Sequence, residues 1–85
     1  MRKVILNSEE MEILYRQDPA KKSAGGFQNL LVSLQDVTDA DTGEIAIPDV
    51  LLTRIASYAF DHGEGGYENR LRAIFARTLG EGLGR

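Results

Sequence analysis

The residues with the most chemistry to offer lie in one short run, Asp61-His62-Gly63-Glu64-Gly65-Gly66-Tyr67. It holds the chain's single histidine between two carboxylates. A carboxylate beside an imidazole can orient it for proton transfer, and an intrinsic pKa of about 6.5 lets the ring both take and give a proton near neutrality. Nucleophilic catalysis needs more than this. There is no cysteine, and no serine stands in the Gly-x-Ser-x-Gly elbow of a hydrolase. A histidine just past a helix end has a plainer use, bonding the last carbonyls and complementing the helix dipole. That use is expected of His62, with no catalytic residue and no enzymatic activity.

Two further patterns promise ligands and fall short. Asp39-Ala40-Asp41-Thr42-Gly43-Glu44 places oxygen donors at alternate positions, as a calcium loop begins. However, the sixth position from Asp39 is Glu44 where glycine is required, and the twelfth is Val50 where a bidentate glutamate is required. An Asx turn accounts for the same residues, and no metal site is expected. The pairs Gly25-Gly26 and Gly65-Gly66 could present free amides to an anion at a helix start. Neither is followed by the Lys-Ser/Thr pair of a phosphate loop, so tight turns between helices are expected, and no cofactor.

The arginines of the last predicted helix, Arg70, Arg72 and Arg77, carry a different prospect. A helix that follows a glycine turn is how many DNA readers present a recognition helix. Glu64, Glu68 and Glu81 flank the same helix, and Glu68 stands four residues before Arg72, an ion-pair spacing. A solvated face laced with weak ion pairs is the expected reading.

The elements that must position these groups follow from apolar periodicity. Val4-Ile5-Leu6 and Glu44-Ile45-Ala46-Ile47 read as two short strands able to form a ribbon. Helices are predicted over about Glu9–Gln17 with Ser8 as N-cap, Phe27–Asp36, Pro48–Asp61 and Tyr67–Leu79. Met11, Leu14 and Tyr15 give the first its buried face, and Phe27, Leu30, Leu31 and Leu34 the second. Leu51, Leu52, Ile55, Tyr58 and Ala59 serve the third, and Tyr67, Leu71, Ile74 and Phe75 the fourth. Gly25 to Leu34 matches Gly65 to Ile74 at an offset of 65 − 25 = 40 residues, and Tyr15–Asp18 precedes the first copy as Tyr58–Asp61 precedes the second. A period near that length is what one helical hairpin occupies. The predicted fold is mainly α: four short helices as two hairpins in one bundle-like domain spanning 1–85, with a minor two-stranded ribbon. Residues 80–85 are expected to be a frayed tail.

The 85 residues suffice for one domain, and the apolar fraction of 42% is that of a globular chain. Without cysteine, neither disulfides nor thiolate zinc sites can hold the fold, which suits a reducing cytosol. The apolar run Val4-Ile5-Leu6 stops at Asn7, too short for an export signal or a membrane span. A net charge of −3 disfavours general affinity for phosphate backbones. The expected function is therefore a non-catalytic cytosolic module that binds another protein, of the bacterial or phage accessory, inhibitor or antitoxin-like kind, with homodimerisation open. Its predicted docking face is Asp61, His62, Glu64, Tyr67 and Arg70. The alternative is a dimeric helix-turn-helix DNA-binding regulator that reads the groove with Arg70, Arg72 and Arg77.

Overall fold

Each element of the computed structural model, which describes residues 1–62 and 65–85, begins from a local reason. Strand β1 (Arg2–Ile5) ends where Asn7 starts helix α1 (Ser8–Tyr15). Asn7 Oδ1 accepts from the Glu10 amide at 2.9 Å, and Glu10 Oε1 accepts from the Asn7 amide at 2.8 Å. This reciprocal capping box satisfies two otherwise orphaned donors. The cap is thus Asn7 and not Ser8, because only Asn7 has a glutamate three residues on that reaches back. Leu14 from the expected face of α1 is fully buried, Met11 packs against the core, and Tyr15 remains 41% exposed.

Asp18 caps a single 3-10 turn (Pro19–Lys21), and α2 (Gly26–Asp36) follows Gly25. The loop after α2 is the anticipated Asx turn: Asp39 Oδ1 accepts from the Asp41 and Thr42 amides at 2.9 and 3.3 Å. Gly43 closes it at φ +79°, and a Cβ there would stand 2.4 Å from the Leu6 carbonyl oxygen, so a side chain is excluded twice over. Strand β2 (Glu44–Ile47) then pairs antiparallel with β1, Val4 opposite Ile45 and Arg2 opposite Ile47. Ile45 and Ile47 turn inward and are fully buried, which gives the ribbon the helical support a lone hairpin lacks.

Helix α3 (Asp49–Ala56) starts after Pro48 and, instead of continuing unchanged to Asp61, widens into one π turn (Ser57–Asp61). Helix α4 (Gly65–Leu79) completes the described helices. The fold is mainly α, four helices with a small antiparallel ribbon. Its core joins Leu14, Leu30, Leu31, Leu34, Ile55, Leu71, Ile74 and Phe75 to Ile45 and Ile47 from the ribbon. Burying each such side chain stabilises by about 1.5–3 kcal/mol. Among the described residues, no helix is long and apolar enough to cross a membrane.

The last six residues depart from expectation. Residues 80–85 do not fray: Gly80 at φ +84° turns the chain, Leu83 is 0% exposed in the core, and Arg85 makes two 2.8 Å bonds to the Asp61 carboxylate. Leu83 adopts φ +49°, an unusual backbone for leucine that the burial of its side chain holds in place.

Candidate functional site

The start of α2, the π turn and the start of α4 meet, and they bring together four rings. Phe27 and Tyr67, which occupy equivalent positions in the two matched segments, stack with centroids 4.3 Å apart and planes 18° apart. Tyr58 from the π turn lies edge-on to Tyr67 at 5.8 Å and tilted to Phe27 at 6.0 Å. His62 stacks on Tyr58 at 4.2 Å. Phe27 is buried, Tyr58 and Tyr67 are half-buried and His62 is exposed, so the cluster grades from core to surface.

Gly26 is what permits this approach. A Cβ on it would come 1.8 Å from the Tyr58 hydroxyl oxygen, so the phenol occupies the space that any side chain would need. Both glycine pairs are expected from sequence to make tight turns between helices, yet they differ in what surrounds them. Gly25 sits at φ 173°, ordinary extended backbone, and Gly66 faces open space within 4 Å, so the steric demand falls on Gly26.

Two guanidinium groups border the rings. Arg70 lies with Cζ 5.6 Å from the Phe27 centroid, within cation–π range, and Arg54 Nη2 donates to the Gly26 carbonyl at 3.0 Å. Neither has a carboxylate partner among the described residues. Phe27 and Tyr58 were read as core, although the match of Phe27 with Tyr67 was the signal that could have placed them here.

Of the predicted docking residues, Tyr67 and Arg70 belong to this cluster, and His62 borders it through Tyr58. Its Nδ1 stands 3.0 Å from the Ser57 carbonyl oxygen. Because a carbonyl only accepts, Nδ1 carries the proton and Nε2 is the nitrogen left for solvent. This is the capping use expected of it. Asp61 turns away to Arg85, whose guanidinium also lies 5.3 Å from the Phe60 centroid. Glu64 lies outside the described residues.

The DNA-reading trio is divided. Arg72 bonds Glu68 and Glu81, the latter at 2.7 Å, and these carboxylates raise its already high pKa. Arg77 spans 67 residues to Glu10, with Nη2 to Oε1 at 2.7 Å and Nε to Oε2 at 3.2 Å, and also donates to the Ile5 carbonyl at 2.7 Å. Glu10 is only 5% exposed. Burial pushes its carboxyl upward, but the bonds from Arg77 and the Asn7 amide, with the charge of Arg77, outweigh this and hold it below its ordinary value of 4.5. Only Arg70 of the three is left unpaired with a carboxylate among the described residues, and it sits beside the rings. No protein-family model, no curated protein and no solved structure matches this chain.

Proposed function

We propose that this chain is a small, non-catalytic cytosolic module that docks on another protein through the face formed by Tyr58, Tyr67, Arg54 and Arg70 over the buried Phe27 ring. One observation carries the reading: the half-buried Tyr58 and Tyr67 rings pack around buried Phe27, over which Arg70 lies, and no described carboxylate neutralises Arg70 or Arg54. Tyrosine and arginine are the residue types that dominate binding energy at protein interfaces, since each offers area and directed donors at modest entropic loss. The non-catalytic part of the proposal is supported by the groups suited to proton transfer. His62 is held by Ser57 and Tyr58, and Asp61 by Arg85. An accessory role, as an inhibitor or antitoxin-like factor, suits the size and acidity.

The test is photo-crosslinking in the host cell with p-benzoylphenylalanine at Gly66, which faces open space beside Tyr67, and at exposed Ala40 as control. A discrete adduct from Gly66 that Ala40 does not give, and that Tyr67→Ala removes, is expected. Identical adduct patterns from the two sites, or none from Gly66, would sink the docking face. The alternative DNA-binding regulator has weaker support, because Arg72 and Arg77 already hold carboxylates. A gel shift at low and high salt tests it, with saturable, salt-sensitive retardation required.

A further inference from the structure

The arginines of this chain divide into two groups. Arg16, Arg72, Arg77 and Arg85 each hold an intramolecular carboxylate within 3.3 Å. Arg2, Arg54 and Arg70 hold none among the described residues, and of these three Arg54 and Arg70 contact the first turn of α2, Arg54 through the Gly26 carbonyl and Arg70 through the Phe27 ring. Fixing a long side chain in advance removes part of the ordering entropy that binding otherwise loses. Arg54 gives one of its five N–H donors to Gly26, which leaves most of the fork for a planar acceptor.

We infer that the partner presents an acidic peptide segment, with carboxylates on Arg54 and Arg70 and its apolar atoms against the half-buried Tyr58 and Tyr67 rings. This rests on the docking reading above and adds the chemistry of what docks. Charge complementarity selects a peptide over a nucleic acid for a local reason. A duplex carries about one charge per 1.7 Å and calls for a wider run of cations than two guanidinium groups, while Arg72, Arg77 and Arg85 are already held by carboxylates. A peptide can place carboxylates opposite the guanidinium groups alone. The net charge of −3 does not forbid this, since screening over about 8 Å at physiological salt leaves contacts at ion-pair distance to decide. Carboxylate on guanidinium is also the pairing in which two parallel N–H bonds form at once.

The probe is fluorescein-labelled hexaglutamate, followed by anisotropy and by amide chemical shifts, with hexalysine and oligothymidine in parallel. Hexaglutamate is expected to bind, to move the amides of Gly25, Gly26, Phe27 and Tyr67 most, and to weaken about tenfold or more with Arg70→Gln or Arg54→Gln. Arg54→Lys keeps the charge and loses the fork, so it separates bidentate recognition from simple attraction, and circular dichroism establishes that each variant folds. Shifts elsewhere, or no binding, overturn the inference. Tighter binding of oligothymidine at the same amides overturns it in favour of nucleic acid. If the Gly66 crosslink persists in both glutamine variants, the docking face stands and the acidic partner falls. If hexaglutamate binds there while Gly66 gives no crosslink, the acidic recognition stands and the docking reading falls.

Discussion

Phe27 and Tyr67 stack face to face at 4.3 Å, although 40 residues separate them (67 − 27), and each is the aromatic that follows a glycine pair. The contact ties the beginnings of α2 and α4 together, and every other ring of the cluster is placed relative to it. Downstream of the aromatics, the match between the two segments is also kept: Leu31 with Leu71, and Leu34 with Ile74, are all fully buried. Upstream it is lost, since Tyr15 is exposed while its counterpart Tyr58 packs on Gly26.

A double-mutant cycle measures that stack. Phe27→Leu and Tyr67→Leu each remove one ring while keeping an apolar side chain. Their combined effect is expected to fall short of the sum by about 0.5–1.5 kcal/mol, the range for an aromatic pair beyond its area. Phe27, almost fully buried, should lose more alone than Tyr67 does. Chemical denaturation of the four proteins gives the coupling, and strict additivity would mean that the rings are neighbours without mutual stabilisation.

The glycines at the two helix starts should respond oppositely to one extra methyl group. Gly26→Ala drives Cβ into the Tyr58 hydroxyl and is expected to destabilise by about 1–3 kcal/mol, as overpacking does. Tyr58→Phe in that background should recover part of the loss, because the hydroxyl oxygen at 1.8 Å disappears while the ring carbon at 3.0 Å remains. Gly66→Ala meets nothing within 4 Å inside α4 and should stabilise by up to about 1 kcal/mol. Melting curves decide it. Equal losses at Gly26 and Gly66 would show that the close approach of Tyr58 does not govern this site.

Acid should reveal the Glu10–Arg77 pair. The Glu10 carboxyl titrates lower in the folded protein than its ordinary 4.5, so its contribution is fully present above that value and is lost as pH falls through the folded pKa. Arg77→Met removes the partner of a carboxylate that is only 5% exposed, and should both lower stability at neutral pH and flatten the acid limb of the stability curve. Asn7→Ala removes the other side of the capping box and should lose about 0.5–2 kcal/mol, with Arg77 still in place. Denaturation midpoints from neutral pH down through the carboxylate range test both. An acid limb unchanged by Arg77→Met would show that other carboxylates set it.

What the chain discloses on inspection is mainly what periodicity encodes. The strand pair was legible because Val4 and Ile5 are adjacent β-branched residues just before the turn-prone Asn7-Ser8 and Ile45 alternates with Ile47, and the helices because leucines and isoleucines recur every three or four positions. Contacts fixed by tertiary packing were not. No local signal in Glu10 points across 67 residues to Arg77, and Tyr58 looked like one more apolar position of a straight helix until the π turn set it against Gly26. For the candidate site, composition named Tyr67 and Arg70 through their place beside the glycine turn. Arg54 entered through a backbone carbonyl, a contact that residue type does not encode.

The carboxyl-terminal segment gives the last prediction, because two of its contacts should differ sharply in weight. Leu83 is the one apolar side chain among Gly80, Glu81, Gly82, Gly84 and Arg85, and composition alone suggested a tail without structure. Its complete burial outweighs a left-handed backbone that is rare for leucine. Leu83→Ala should therefore lose about 2–5 kcal/mol, which for a domain of this size displaces the melting temperature by roughly 4–8 °C per kcal/mol. Arg85→Ala removes a bidentate bond to Asp61, but both side chains are about half exposed, 51% and 53%, and solvent competes for the charges. Its loss should stay within about 1 kcal/mol. Amide exchange distinguishes the two causes: Leu83→Ala should release protection in the last turn of α4, and Arg85→Ala should leave it nearly unchanged. A reversed order would mean that the ion pair, and not the leucine, anchors the segment.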